Sequence, residues 1–116
     1  MLFTDYIEIW LENIKPELRP STYRGYAGNI KNHIIPYFKG RRIKLQDLTP
    51  WELENFYNYL STDNCKADGS EPLSATTIKH IHRTISKALN DGIRRGILYY
   101  NVASTAKTPK PEKHKG

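Results

Sequence analysis

The chain holds one cysteine and one methionine in 116 residues. The lone Cys65 excludes an internal disulfide and a cysteine-rich zinc site, and its polar neighbours mark it as a loop thiol. No apolar run approaches the roughly 18 residues needed to cross a bilayer, and nothing resembles a signal peptide. A cytoplasmic chain with no membrane contact is the expectation. No stretch alternates apolar and polar residues as a half-buried strand does. Gly-x-Ser-x-Gly, P-loop and Gly-x-Gly-x-x-Gly patterns are all missing, which removes the common nucleophile elbows and phosphate cradles. The carboxylates fall mainly on the first and third helical segments as solvent-facing charge, and no pair stands out for acid–base work. No catalytic residue, bound metal or cofactor is therefore expected in this chain.

Acid is missing from one long stretch. Residues 18–46 carry seven bases (Arg19, Arg24, Lys31, Lys39, Arg41, Arg42 and Lys44) and no acidic residue. Residues 72–116 carry nine bases against two acids, whereas residues 1–17 and 47–71 are net acidic. The net charge of +6 is thus gathered into two basic blocks that alternate with two acidic ones. A fold that brings the basic blocks together presents one cationic face, the electrostatic footprint of a nucleic-acid partner. The bland alternative is a solvated surface with ordinary scatter of charge.

What is present is helical periodicity. Phe3, Tyr6, Ile7, Trp10, Leu11 and Ile14 recur at helical spacing across residues 4–14, with Thr4 expected as N-cap and Pro16 beyond the end. In RPSTYRGYAGNIKNHIIPYFKG the expected N-cap is Ser21, and Tyr23, Tyr26, Ala27, Ile30, His33, Ile34 and Tyr37 fall on one side. Pro36 is expected to kink or end this helix, and Gly40 to stop it. Gly25 and Gly28 lie on its opposite side. Each costs roughly 1 kcal/mol against alanine within a helix, which predicts a close neighbour there.

Residues 41–48 read as a short extended connector. Thr49, Pro50 and Glu52 supply the cap, the first-turn proline and the capping-box partner of a third helix with the stripe Leu53, Phe56, Tyr57, Leu60. Residues 61–73 form a polar loop, long for a helical domain. The last long helix begins at Ser74, buries Ile78, Ile81, Ile85, Ala88, Leu89, Gly92 and Ile93, and ends at Gly96. A short piece with Ile97, Leu98 and Val102 follows, and then a Pro/Lys-rich tail or linker. The fold class is all-α, a compact bundle of four to five helices.

Within the last helix, KHIHR at residues 79–83 holds two histidines. Residues two apart on a helix point about 200° apart, so His80 and His82 cannot converge on one ion. His80 lies on the polar side and His82 at the edge of the apolar stripe. Thr76, Lys79, His80, Arg83, Lys87, Asn90 and Arg94 all fall within about 100° of arc opposite the isoleucines, and only Asp91 stands at the margin. A merely solvated helix face mixes charges for i,i+4 pairing. This face is cationic throughout, and its side chains are of the types that reach phosphates and base edges.

Ser21-Thr22-Tyr23, Ile35-Pro36-Tyr37-Phe38 followed by Gly40, Leu48-Thr49-Pro50, Leu73-Ser74-x-x-Thr77-Ile78 and the closing Asn101-Val102-Ala103 occur in an order that is familiar. Together they resemble the core-binding, SAM-like domain of tyrosine recombinases, above all the integrases of phages and conjugative transposons. The resemblance covers residues 2–103. In that family the closing motif is usually Asn-Pro-Ala, from which Val102 departs. The resemblance implies one half of a clamp around double-stranded DNA, with the second and fourth helices facing the duplex. It also implies that the family's chemistry, a tyrosine nucleophile forming a phosphotyrosine link beside arginines and a His-x-x-Arg pair, belongs to a second domain. His80-x-x-Arg83 matches that pair in form but falls in the wrong domain.

These readings give a core-binding domain over residues 1–103 and a linker over residues 104–116 toward a catalytic domain absent from this chain. The resemblance leaves open whether an arm-binding domain precedes it in the parent. The DNA-contacting residues expected on the second helix are Thr22, Arg24, Asn29 and Lys31. Those expected on the last helix are Thr76, Lys79, His80, Arg83, Lys87 and Arg94. Thr22 and Thr76 stand near helix N-termini, where phosphates bind well. The isolated domain is expected to be a monomer that meets neighbouring integrase subunits only in a full-length synaptic complex. Two rivals stand beside this: a helical DNA-binding regulator unrelated to recombination, and a protein-interaction module using Trp10, Tyr6 and the acidic first helix. The long 61–73 loop argues against the compact helix-turn-helix that the first rival needs.

Overall fold

The structure is a computed structural model and describes residues 1–61 and 73–108. Cys65 and nearly all of the expected 61–73 loop lie outside the described residues, as does the tail beyond Thr108. The helices are α1 (Phe3–Ile14), α2 (Pro20–Asn29), α3 (Ile35–Phe38), α4 (Pro50–Leu60) and α5 (Ala75–Arg94). Single 3-10 turns lie at Lys15–Glu17, Leu45–Asp47 and Val102–Ser104. The fold is an all-α bundle, as the periodicity indicates. Among the described residues no strand forms, and a lone bridge pairs Leu2 with Lys44.

Two helix starts differ from expectation. α1 begins at Phe3 with Leu2 as its cap position, and Thr4 lies buried inside the first turn. A side-chain cap is not needed at Phe3, because its N–H donates to the Ile43 carbonyl at 2.9 Å across the bridge. α2 begins at Pro20, not after Ser21, with Arg19 in extended conformation before it. Proline at the first position has its φ already set for a helix and loses no hydrogen bond there. The other two starts follow the sequence. Thr49 Oγ1 accepts from the Glu52 N–H at 3.2 Å, and Ser74 Oγ accepts from the Thr77 N–H at 3.2 Å.

Pro36 does not end the second helix. α2 runs into a π turn at Ile30–Ile34 and on into α3. Pro36 has no N–H to give to the carbonyl four residues back, and its ring crowds that carbonyl. A π turn widens the helix locally, and here it comes directly ahead of the proline-bearing turn. The chain therefore stays helical to Phe38, which places Tyr37 and Phe38 in the core. Phe38 meets Phe3 edge-on at 5.1 Å and Phe56 at 5.0 Å, joining α1, α3 and α4.

α5 forms the spine of the bundle. Ile78, Ile81, Ile85, Ala88 and Leu89 are buried almost completely along its inner side. α1 crosses it closely: Tyr6 Oη donates to the Ala88 carbonyl at 2.6 Å, and Trp10 Nε1 donates to Asp91 Oδ2 at 2.7 Å. Gly92 makes this approach possible, because a Cβ there would lie 3.0 Å from Tyr6 Oη and 3.1 Å from Leu98 Cδ1. Burial, helped by the Asp91 charge, pushes the Tyr6 hydroxyl pKa up to about 12. Gly96, at φ +80°, ends α5 as its sequence position implies. Asn101 then pins the returning chain: its Nδ2 donates to the Ser86 carbonyl at 3.2 Å and to Asn90 Oδ1 at 3.0 Å. Its Oδ1 accepts from the Ala103 N–H at 2.8 Å. Packing continues past Ala103, since Ala106 is buried and the Lys107 N–H donates to Glu54 Oε2 at 3.0 Å.

Burial alone raises the Asp91 pKa, but hydrogen bonds from Trp10 and Arg94 and the charges of Lys87 and Arg94 outweigh it, so the carboxyl sits below its ordinary 3.8. A depressed carboxyl stabilises the fold above its unfolded pKa and ceases to do so as pH falls through the folded one. Asp91→Ala should lower stability by about 1–3 kcal/mol by leaving the buried Trp10 N–H unpartnered. Urea unfolding at neutral pH measures this, and an unchanged midpoint would show that the bond carries no stability. Burial holds His33 and His82 below their ordinary 6.5, and His82 Nδ1 shares a 2.8 Å hydrogen bond with Tyr57 Oη. The unfolded chain then takes up these protons first as pH falls, so stability should decline below about pH 6.5. Nitrogen-15 NMR titration of the two rings checks the direction.

Candidate nucleic-acid interface

Because the inner side of α5 is fixed by the core, its other side is fixed outward. Thr76, Lys79, His80, Arg83 and Arg94 are exposed and Lys87 is half-buried. His80 and His82 do part company: His80 faces outward, while His82 is half-buried against Tyr57 with ring centroids 5.4 Å apart. Asp91, the only acid on α5, is turned into the bundle by Trp10. Arg94 closes over it, Nη2 to Oδ1 at 3.2 Å, although its side chain remains 67% exposed. Arg94 therefore spends part of its charge within the chain. Lys79, Arg83 and Lys87 have no ion-pair partner among the described residues.

α2 packs beside α5. Asn29 Nδ2 donates to Thr84 Oγ1 at 3.0 Å, and Thr84 Oγ1 donates in turn to the His80 carbonyl at 3.1 Å. Asn29 is thus half-buried and joined to α5, which gives it a structural task in addition to any contact with a ligand. Above this bond lies an open groove of about 430 Å³. Thr22, Gly25, Tyr26 and Asn29 of α2 form one wall, and Thr77, His80, Arg83 and Thr84 of α5 form the other. Arg24 and Lys31 are exposed but do not line it. Arg24 stands on α2, whereas Lys31, expected on the same helix, falls on the π turn that follows it.

Of the residues expected to contact a ligand, Thr22, Asn29, His80 and Arg83 converge on this groove. Thr76, Lys79, Lys87 and Arg94 extend the outer face of α5, while Arg24 on α2 and Lys31 on the π turn are exposed outside the groove. The sequence reading missed Gly25, Tyr26, Thr77 and Thr84 as groove residues. The spacing of Thr22, Gly25, Tyr26 and Asn29 at i, i+3, i+4 and i+7 was the available signal. The basic run after α3 also has its own geometry. Lys39, Arg41, Arg42 and Lys44 are exposed, and the Arg41 guanidinium lies 3.8 Å from the centre of the Tyr37 ring.

The first helix does not offer the contact face that its aromatics suggested. Tyr6 is 4% and Trp10 3% exposed, since both serve the junction with α5. The outward side of α1 is instead Asp5, Glu8, Ile9 and Glu12. Among the described residues no group of three or more His, Cys, Asp or Glu side chains is placed to hold a metal ion. Among the same residues no helix is long and apolar enough to cross a membrane.

Comparison with known proteins gives the class. Residues 2–61 match the phage integrase N-terminal SAM-like domain family. The chain is 30% identical over 104 residues to an integrase from Saccharopolyspora erythraea, a match covering 89% of this chain and 22% of that protein. The solution NMR structure of a fragment, residues 61–160, of a Clostridium leptum protein superposes with a TM-score of 0.73 at 20% identity. That superposition covers 99% of this chain and 94% of the fragment, and it shows a shared fold. The chain belongs to the family of phage integrase N-terminal SAM-like domains. It spans about a fifth of the length of the Saccharopolyspora integrase, 22%.

The Asn29–Thr84 bond separates structural from surface roles on α2. Asn29→Ala should lower stability by about 1 kcal/mol, whereas Arg24→Ala and Lys31→Ala should each stay within about 0.5 kcal/mol of the parent. Chemical denaturation of the three variants reads the difference.

Proposed function

We propose that this chain is the DNA-binding, non-catalytic core-binding domain of a tyrosine-recombinase-type integrase. In this reading residues 1–103 hold the core recombination site on double-stranded DNA, and residues 104–116 lead toward a separate catalytic domain. That domain would supply the tyrosine that forms the phosphotyrosine intermediate. The observation that carries the reading is the outward face of α5. Lys79, His80, Arg83 and Lys87 lie together there, and the helix's only acid is engaged by Trp10 of α1.

The division of labour follows from the geometry. Lys79 and Lys87 are point charges suited to phosphates, while Arg83 is a planar donor fork that can serve a phosphate or a guanine edge. Thr22 and Thr76, near the starts of α2 and α5, can donate hydroxyls to phosphate oxygens. Arg24 on α2 and Lys31 on the π turn after it would follow the backbone beyond the groove. The acidic outer side of α1, with Ile9 48% exposed between its carboxylates, repels DNA and suits a neighbouring subunit in a synaptic complex. The isolated domain is taken to be a monomer.

Binding by such a surface is dominated by phosphate contacts and weakens steeply with salt. Arg83→Ala and Lys87→Ala should each weaken duplex binding and lower the slope of log K against log salt by about 0.9. Fluorescence anisotropy at several salt concentrations measures both quantities. Two variants with the parent's affinity and slope would remove α5 from the interface, and absence of duplex binding at low salt would favour a protein-interaction module.

A further inference from the structure

Nothing among the described residues accounts for Gly25. It lies on the α2 wall of the groove, in ordinary helical conformation, and a Cβ built on it meets no atom of the described residues within 4 Å beyond its own helix backbone. Neither backbone geometry nor packing calls for glycine there, although glycine is among the poorest helix formers. The close neighbour expected beside it is not found among the described residues. Across the groove stand His80 and Arg83, both exposed, and Arg83 has no ion-pair partner among the described residues. Thr22 lies a turn before Gly25 on the same wall, and the Asn29–Thr84 bond spans the two helices.

We infer that this groove seats one sugar–phosphate unit of the duplex backbone, with Gly25 as its point of closest approach. The inference rests on the DNA-binding reading above and adds a particular seat to it. The occupant follows from the two walls. One is cationic and offers N–H donors to phosphate oxygens. The other is bare of side chain at Gly25 and carries a hydroxyl at Thr22, so a sugar can lie against the helix while its phosphate faces Arg83. Glycine serves elsewhere to let a backbone approach a ligand closely. Here its use is the same, at a site where the empty space is on the outside of the fold.

The test sets stability against affinity. Melting temperature and duplex affinity at about 50 mM salt are measured for the 116-residue chain and for its Gly25→Ala and Gly25→Leu variants. Gly25→Ala should melt about 4 °C higher than the parent and bind duplex DNA several-fold more weakly. Gly25→Leu, whose side chain fills the seat, should bind about tenfold more weakly or worse. A parent that binds and a Gly25→Leu chain within twofold of it would overturn the seat and leave the DNA reading standing. A parent that does not bind overturns both. If Gly25→Leu is also less stable than the parent, Gly25→Ala decides: parental affinity in that more stable chain overturns the seat.

Discussion

The hydrogen bond from Trp10 to Asp91 governs what α5 shows to solvent. Asp91 is the only acid on that helix, and the 2.7 Å bond turns its carboxylate toward α1. Arg94 covers what remains, at 3.2 Å. The outward face is left cationic because its single countercharge is engaged in holding two helices together. The same junction sets the rotation of α5 about its own axis. Tyr6 binds the Ala88 carbonyl, and Gly92 lets the Tyr6 hydroxyl and Leu98 approach. A rotation that exposed Asp91 would break both hydrogen bonds and pull the isoleucines from the core.

The pairing of α2 with α5 depends on that fixed rotation. Thr84 is fully buried, yet its hydroxyl is satisfied by Asn29 on one side and the His80 carbonyl on the other. This aligns the two basic helices along a groove and does not merely set them side by side. Asn101 performs the matching task at the other end of α5 by binding Ser86 and Asn90. Two small hydrogen-bonded polar clusters thus position the helix that carries the charge. Among the described residues no buried side-chain nitrogen or oxygen lacks a partner.

Much of this was legible in the sequence. The four apolar stripes, the caps at Thr49 and Ser74, the stop at Gly96 and the split between His80 and His82 follow from periodicity and turn chemistry alone. What periodicity could not give was the reason a residue lies inside. Tyr6 and Trp10 look like interaction aromatics because their polar ends need partners, and those partners lie more than 80 positions away. Thr4 and Ser21 look like caps, but Phe3 finds a carbonyl across the chain and Pro20 starts its helix without one. Pro36 looks like a breaker, yet the π turn ahead of it keeps the chain helical. The candidate interface was legible as two basic faces, but the groove between them needed the long-range Asn29–Thr84 contact, which no local pattern encodes.

The central proposal is that α2 and α5 together face a DNA duplex. Amide chemical shifts of the isotope-labelled chain, followed as a short duplex is added at low salt, test it most directly. Shift changes should gather on the outward residues of α2 and α5, around Thr22, Gly25, Lys79, Arg83 and Lys87, and should leave Asp5, Glu8 and Glu12 on α1 unmoved. Changes centred on α1, or none at saturating duplex, would contradict it.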